Sequence, residues 1–271
     1  MKAMILAAGL GTRLKPFTDA HPKALYQSEG KTLLEHAIDH LKTAGITEVI
    51  INVHHFARQI IDFLNQHENF GLHIAISDET GELLETGGGV KKAAWFFNDC
   101  DAAIIRNVDI LSDLDLSKFI TYHRSSGSLA TLAIRKRETS RYLLFDDEMQ
   151  LCGWENRKTG ERLIVRDERY DSPDHVAERN GHDSGSLPGK NPELTTPHIS
   201  GSAPAPITPY AFSGIQVLCP AVFPLITEEG KFSLIELYLR LAKDQKIAGF
   251  VEDGVVWEDV GRWKNNLMFY I

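Results

Sequence analysis

The pattern of hydrophobic and polar positions changes in character about halfway along the 271-residue chain. In the first half, short apolar runs typical of buried strands alternate with segments whose apolar residues recur every three or four positions, as on one face of a helix. The pattern predicts strands at 4–8, 49–53, 72–76 and 102–106 and helices at 33–44, 60–64 and 90–97. Such alternation indicates right-handed βαβ units, and therefore a largely parallel sheet with helices on both faces.

Beyond residue 129 the pattern indicates mainly strands, at 130–134, 142–145 and 211–218, with one further helix beginning at Ser233. Residues 167–209 are rich in Gly, Pro and Ser and poor in large apolar side chains, which predicts a long mobile insert. We therefore predict an α/β fold: a single Rossmann-like nucleotide-binding domain over residues 1–271. Its sheet should be mixed but mostly parallel, and it should carry the insert at 167–209.

Composition and charge exclude several classes of function. The net charge of −8 argues against a general nucleic-acid-binding protein, and no apolar run approaches the ~20 residues of a membrane span. The first strand begins almost at residue 1, which leaves no room for a signal peptide. Three widely spaced cysteines, without metal-ligand spacing, indicate reduced thiols. The expected location is the cytoplasm, with no membrane or nucleic-acid partner.

The candidate chemistry begins at residues 6–13, Leu-Ala-Ala-Gly-Leu-Gly-Thr-Arg, which follow the first predicted strand. Gly9 and Gly11 allow a tight turn that brings backbone N–H groups close to an anion, and Arg13 and Lys23 add two cations. Together they predict a cradle for a polyphosphate. The spacing fits neither the dinucleotide fingerprint nor the P-loop, because residue 14 is leucine and no Gly-Lys-Ser/Thr follows. A tight turn with incidental surface charge is the simpler alternative.

Two acidic segments are candidates for a metal site. Asp109 follows the strand predicted at 102–106, and Asp259 follows an apolar stretch near the C-terminus. Ligands gather at strand ends in open α/β sheets, and Mg²⁺ prefers one or two carboxylates together with phosphate oxygens and water. Considered by itself, Asp109 is equally well explained as a turn or helix-capping residue.

A glycine-rich segment, Glu-Thr-Gly-Gly-Gly at 85–89, precedes the helix predicted at 90–97. Its glycines would let a base or ribose approach the backbone, and the helix N-terminus adds a positive dipole end. As an isolated motif it is more simply a flexible turn.

Residues 6–13, together with Pro16 and the Pro-Lys pair at 22–23, resemble the signature of the sugar-1-phosphate nucleotidyltransferases, also called nucleotide-sugar pyrophosphorylases. The resemblance extends over 1–165 and 210–262. It implies an enzyme that transfers a nucleoside monophosphate from a nucleoside triphosphate to a sugar 1-phosphate, releases pyrophosphate and uses Mg²⁺. Val108 stands where the family usually has glycine, and Arg262 where it often has threonine.

The resemblance also implies roles for individual residues of this chain. Arg13 and Lys23 would be catalytic, and Asp109 and Asp259 would hold the metal. Nucleotide binding would fall to Ala8, Gly9, Gly11, Thr12, Glu85, Gly87 and Gly88, and binding of the sugar phosphate to Asn107 and Gly214. Glu155 is a further candidate for contacts to the sugar hydroxyls, and an exposed turn carboxylate is an equally good interpretation of it.

Segments 85–89 and 212–215 look most like the uridylyltransferases that act on N-acetylmuramate 1-phosphate. The implied substrates are UTP and an N-acetylated amino-sugar 1-phosphate, in peptidoglycan recycling for the cell wall. Two alternatives stay open: a cytidylyltransferase for a phosphorylated amino alcohol, and a non-catalytic relative that senses nucleotide sugars. The sequence leaves homo-oligomerisation open.

Overall fold

A mixed sheet of ten strands organises the computed structural model, which describes residues 1–166 and 206–262. Most of the predicted insert lies outside the described residues. The fourteen strands, in the central sheet and two small ones, are β1 Lys2–Leu6, β2 Gln27–Ser28, β3 Lys31–Thr32, β4 Glu48–Val53, β5 His73–Asp78, β6 Ala103–Asn107, β7 Ile110–Ser112, β8 Ala130–Arg135, β9 Arg141–Phe145, β10 Leu151–Asn156, β11 Glu161–Ile164, β12 Thr208–Leu218, β13 Ile247–Val251 and β14 Trp257–Asp259. The α-helices are α1 Leu33–Thr43, α2 Ala57–Gln66, α3 Glu85–Lys92, α4 Leu116–Ser126 and α5 Leu234–Leu241.

Four strands of the first half form the parallel part of the sheet, in the order β6-β1-β4-β5. Met4 of β1 pairs with Ile50 on one side and Ile105 on the other. Because the four strands are parallel, their carboxyl ends reach the same edge of the sheet. The loops that leave this edge are therefore neighbours in space, although up to a hundred residues separate them in sequence.

The second half adds antiparallel strands to this frame. Strand β12 is antiparallel to β6, β8 and β9, and β10 and β11 extend the sheet beyond β9. Strand β13 returns parallel to β8. The predicted α/β fold with a mixed sheet is confirmed, and its parallel arrangement is concentrated in the first half.

Both faces of the sheet are buried against helices. Alternate residues of β1 point to opposite faces, so Ala3 and Ile5 join one core cluster while Met4 joins the other. The first cluster includes residues of α1, α2 and α4, and the second includes residues of α3 and α5. Helix α1 begins at the predicted position, because Thr32 and Glu35 form a capping box.

Helix α4 and strands β10, β11 and β13 were not predicted, and two further segments differ from the prediction. Helix α3 begins at Glu85, five residues before the predicted start, and ends at Lys92. The rest of the segment predicted as helix forms a separate 3₁₀ turn, Ala94–Phe97. Strand β14, which carries Asp259, pairs with β7 outside the central sheet. No helix in the described part of the chain has the length and apolar character needed to cross a bilayer.

Candidate active site

An open cleft with a cavity volume of about 180 Å³ lies at the carboxyl ends of the parallel strands. Strands β1, β4 and β6, the loop that follows β1 and the start of α3 all contribute to its walls. The residues that line it are Leu6, Ala8, Gly9, Lys23, Asn52, Leu83, Glu85, Thr86, Asn107, Val108 and Asp109. Six of the residues selected from the sequence therefore meet in one cleft: Ala8, Gly9, Lys23, Glu85, Asn107 and Asp109.

The loop after β1 owes its shape to Gly11. This residue has a φ of 63°, in the left-handed region that favours glycine. A Cβ at this position would lie 2.8 Å from Lys23 Cβ and 2.9 Å from Thr18 Cγ2, so a side chain would also push Lys23 out of place. Gly9, in contrast, has open space beside its Cα and is exposed at the cleft. Gly11 shapes the loop, while Gly9 leaves room beside it.

Thr12 and Arg13 lie on the exposed 3₁₀ turn Thr12–Leu14 that follows Gly11. Within the described residues, the Arg13 guanidinium forms no ion pair or hydrogen bond. The neighbouring Lys15 differs, since its Nζ lies 2.9 Å from Asp19 Oδ1. Arg13 does not line the cleft itself, but it stands on the loop that does and can approach a bound anion.

Lys23, Asp109 and Asp259 converge beside Gly261. The Lys23 ammonium donates a hydrogen bond to Asp109 Oδ2, and both side chains are largely buried. A Cβ on Gly261 would lie 2.5 Å from Lys23 Nζ, 3.0 Å from Asp109 Oδ2 and 3.1 Å from Asp259 Oδ1. Because Gly261 has no side chain, the Lys23 ammonium and the carboxylates of Asp109 and Asp259 share the space beside it. The two acids, which are separated by 150 positions in sequence, therefore lie close together.

A buried pair that the sequence pattern did not indicate supports the first loop. Asn52 Oδ1 accepts a hydrogen bond from Ala7 N at 2.7 Å, and Asn52 Nδ2 donates to Glu79 Oε1 at 2.8 Å. Glu79 Oε2 accepts from Leu84 N, just before α3. The pair therefore connects the loop after β1 with the start of α3. An asparagine inside the apolar strand β4 was the available sequence signal, but Glu79 had none.

The three glycines of α3 have a packing role that corrects the interpretation of 85–89 as a turn. Their Cα atoms face Phe232, the Gly230 carbonyl and Glu79 respectively, each too close to admit a Cβ. Gly87 N also donates to Phe232 O at 2.9 Å, so this amide is not available to a base. In this helix it is Glu85 and Thr86 that line the cleft. The nucleotide-binding roles of Gly87 and Gly88 stay predictions.

Val108 fits where the resembled family usually has glycine. It is buried at 4% exposure in the core cluster on the α1 face, and its φ is not positive, so the backbone does not require glycine here. Its N–H donates to Leu6 O at 3.1 Å, which fixes the β6 end against the β1 end. Of Arg262, the other departure, the structure describes only the backbone.

The residues predicted to bind the sugar phosphate do not all lie at the cleft. Gly214 has a φ of 82°, and a Cβ on it would lie 3.1 Å from Asn107 Nδ2. Glu155 lies farther out, on β10, where its Oε1 accepts from Arg157 Nε at 2.7 Å. Gly214 therefore borders Asn107, whereas Glu155 belongs to the antiparallel extension and does not line the cleft.

A charged cluster packs behind Gly214. Trp257 Nε1 donates to Ser213 O at 2.8 Å, and the guanidinium of Arg137 lies 4.5 Å from the Trp257 ring centroid. Glu252 is fully buried nearby, with its Oε1 3.6 Å from Arg135 Nη1. Burial raises the pKa of Glu252, an effect that Ser213 and the two arginines oppose. This cluster connects β14, and with it Asp259, to the β12 side of the cleft.

Comparison with known proteins agrees with this geometry. A family model described as Nucleotidyl transferase matches residues 2–143, just over half of the chain. The chain belongs to the nucleotidyl transferase family. It is thus a transferase, and the matched residues include the whole parallel part of the sheet, Arg13, Lys23 and Asp109.

Two curated relatives carry the same description, N-acetylmuramate alpha-1-phosphate uridylyltransferase. The one from Caulobacter vibrioides is 29% identical over 261 residues, which cover 96% of this chain and 91% of that protein. The one from Neisseria meningitidis serogroup B is 42% identical over 117 residues, which cover 43% of this chain and only half of that protein.

The fold has also been observed in a solved structure. A Bacillus anthracis protein assigned as a glucose-1-phosphate thymidylyltransferase, crystallised with a sucrose, superposes with a TM-score of 0.69. The match covers 96% of this chain and 90% of that one at 16% identity. At this identity the likeness concerns the fold.

Proposed function

We propose that this nucleotidyl transferase transfers UMP from UTP to an N-acetylated amino-sugar 1-phosphate, with N-acetylmuramate 1-phosphate as the first candidate. The observation that carries the proposal is the single cleft in which Gly9, Lys23, Asn107 and Asp109 meet. The names of the two uridylyltransferase relatives support the choice of UTP and of the acceptor. The reaction would serve recycling of cell-wall sugars in the cytoplasm.

The proposed reaction needs neither a nucleophilic side chain nor a general base. A phosphate oxygen of the sugar 1-phosphate is already anionic near pH 7 and attacks the α-phosphorus of UTP. The bond from the α-phosphorus to the bridging oxygen breaks, and that oxygen leaves with pyrophosphate. The protein must then position two anions and neutralise the charge that moves to the leaving group. The cleft with its backbone amides, Lys23 and Asp109, together with Arg13 and Asp259 beside it, would supply these functions.

In this proposal Lys23 and Arg13 both stabilise negative charge on the phosphates, but from different positions. Lys23 is buried beneath the loop that follows β1 and supplies a point charge inside the cleft. Arg13 stands outside on an exposed turn, and its planar guanidinium suits two oxygens of one phosphate. We assign to both the stabilisation of charge on the departing pyrophosphate, and to the loop at 8–12 the backbone contacts to the triphosphate.

Asp109 and Asp259 fit a Mg²⁺ ion. The space beside Gly261 receives one oxygen from each carboxylate, and Mg²⁺ commonly takes one or two carboxylates and completes its shell with phosphate oxygens and water. No group of three or more acidic, histidine or cysteine ligands occurs among the described residues, so substrate oxygens would have to complete the shell. Bound there, the metal would neutralise phosphate charge. Lys23, which shares the space, would compete with it for Asp109.

The base and the sugar would be recognised on opposite sides of the phosphates. Glu85 and Thr86 line the cleft on the α3 side, close enough to contact a base or ribose. Asn107 and Gly214 border the β12 side, and we assign the sugar phosphate to them. Glu155 would act at the outer end of this surface, on hydroxyl or acyl groups of the sugar.

Pyrophosphate release with a matrix of substrates tests the proposal. UTP, CTP, GTP and dTTP are each combined with N-acetylmuramate 1-phosphate, N-acetylglucosamine 1-phosphate, glucose 1-phosphate and phosphocholine. We expect the highest kcat/KM for UTP with N-acetylmuramate 1-phosphate. A preference for CTP with phosphocholine would support the cytidylyltransferase alternative. Tight binding of the nucleotide sugar without turnover in any combination would support the sensor.

The metal assignment has its own test. Chelation should abolish turnover, and Asp109→Asn should weaken Mn²⁺ binding, measured by electron paramagnetic resonance with UTP present and no acceptor. Asp101→Asn is the matched control, because Asp101 is an exposed carboxylate at the opposite edge of the sheet, paired with Arg124. Unchanged Mn²⁺ binding in Asp109→Asn would contradict the assignment.

A further inference from the structure

Arg106 is a buried cation that the proposed reaction does not use. It is the residue immediately before the segment 107–109, on β6, and is 1% exposed. No carboxylate of the described residues forms an ion pair with it. Burying a guanidinium without such a partner is unfavourable, so its hydrogen bonds must offset the cost of desolvation. The groups that accept these hydrogen bonds therefore indicate what the arginine does.

Two of those acceptors are the ends of the turn that carries Asp109, and a third is Ala37 O on α1, 3.4 Å from Arg106 Nη1. Arg106 Nη2 donates to Ile110 O, and Nε lies 3.5 Å from Asn107 O. The guanidinium thus holds the carbonyls on either side of Val108 and Asp109. The rest of the turn is fixed from outside, since Val108 N donates to Leu6 O and Val260 N donates to Asp109 O.

His40, on α1, orients the guanidinium. Arg106 Nη1 donates to His40 Nδ1 at 2.8 Å, and His40 Nε2 lies 2.7 Å from Leu114 O. Arginine only donates, so Nδ1 accepts and the ring proton sits on Nε2, where it donates to Leu114 O. Burial and the Arg106 charge lower the pKa of His40 to about 4, which keeps this tautomer neutral near pH 7.

We propose that Arg106, oriented by His40, is a positioning residue that fixes the turn 107–110 so that the Asp109 carboxylate faces Asp259 beside Gly261. The inference rests on the proposed function, because it takes Asp109 as a metal ligand. A planar fork reaches three carbonyls and an imidazole at once, which a lysine cannot do. Partners that orient a metal ligand typically change metal affinity or activity by about 10- to 100-fold when they are removed.

The test measures Mn²⁺ binding by electron paramagnetic resonance in the full chain with saturating UTP and no acceptor, together with kcat and the KM for UTP. Arg106→Lys should weaken Mn²⁺ binding and lower kcat by about 10-fold or more, with little change in the KM for UTP. His40→Leu should have the same effect to a smaller degree. His40→Gln should stay near wild type, because an amide can accept from Arg106 and donate to Leu114 O.

Lys2→Met is the matched control. Lys2 is also a buried cation of this sheet, but it lies at the opposite edge and pairs with Glu48 and Asp99. Its loss should lower the melting temperature and leave Mn²⁺ binding unchanged. Equal weakening of Mn²⁺ binding in Lys2→Met would overturn the inference, as would wild-type Mn²⁺ binding in folded Arg106→Lys.

Three further outcomes distinguish failure of the positioning role from failure of the proposed function. If Arg106→Lys does not fold, the His40 pair decides, and equal Mn²⁺ affinity in His40→Leu and His40→Gln overturns the positioning role. If Asp109→Asn retains Mn²⁺ binding, the metal assignment itself fails and the inference fails with it. Loss of binding in Asp109→Asn but not in the folded Arg106 variant overturns the inference alone.

Discussion

The two halves of the molecule build the cleft in different ways. In the first half, parallel strands place their carboxyl ends at one edge, so short local motifs such as 6–13 and 107–109 become neighbours without further adjustment. In the second half, the antiparallel strands β12, β9 and β10 and the small β7–β14 pair bring in Gly214, Glu155 and Asp259 through long-range register. The proposed nucleotide side of the site thus depends mainly on local motifs of the first half. The proposed acceptor side, apart from Asn107, depends on strand pairing in the second half. Mutations of Arg13 and of Glu155 should therefore affect different kinetic constants.

The largest expected effect belongs to the nucleotide side. Arg13→Ala should lower turnover by about 10²- to 10³-fold without unfolding the protein, because the side chain is exposed and its proposed role is to stabilise charge that develops in the transition state. Lys15→Ala, two positions away and paired with Asp19, should change turnover by less than about two-fold. Pyrophosphate release at saturating substrates measures both. Equal losses in the two variants would mean that general surface charge, and not Arg13, is responsible.

On the acceptor side, Glu155→Gln should raise the KM for the sugar 1-phosphate by about 10-fold and leave the KM for UTP unchanged, since a charged hydrogen bond contributes on the order of 1.5–3 kcal/mol. Glu161→Gln on neighbouring β11 is the control, because Glu161 accepts only from Thr159 among the described residues. A rise in the KM for UTP would show that Glu155 also affects the binding of the nucleotide.

A smaller effect is expected from removing the predicted insert, most of which lies outside the described residues. Strands β11 and β12, which flank it, are separated by β10 and β9, about 15 Å across the sheet. A Gly-Ser link of about eight residues can span this distance. Replacing 170–206 with such a link should leave folding and turnover near wild type, measured by thermal unfolding and pyrophosphate release. Loss of the cooperative transition would show that the segment is structural.

The smallest effect is a pH dependence of stability that comes from the first half. His40 on α1 and His123 on α4 have pKa values lowered by burial to about 4, against about 6.5 in an unfolded chain. Between these values the unfolded state binds more protons, so stability falls as the pH drops from about 6.5 towards 4. The melting temperature should follow this slope, and His123→Gln should reduce it without changing turnover. A slope unchanged in that variant would contradict the assignment.

The sequence by itself determined the parallel half and its motifs. The loop after β1 is determined by its glycines and by the apolar strand before it, and both are evident in the sequence. The local sequence was therefore enough to select Gly11, Arg13 and Lys23. Capping residues such as Thr32 and Ser233 located helix starts in the same way, because a cap is satisfied within one turn of chain.

Only the tertiary structure decided the rest, because it depends on which distant groups meet. The glycines at 87–89 are typical of a turn in sequence, yet Phe232 and Gly230 pack against them and hold a helix. The roles of Asn52 and Glu79 arise from a hydrogen bond across two strand ends, and the meeting of Asp109 with Asp259 requires β14 to pair with β7. A local motif carries its own backbone geometry, whereas strand register and buried polar pairing are set by packing over the whole chain.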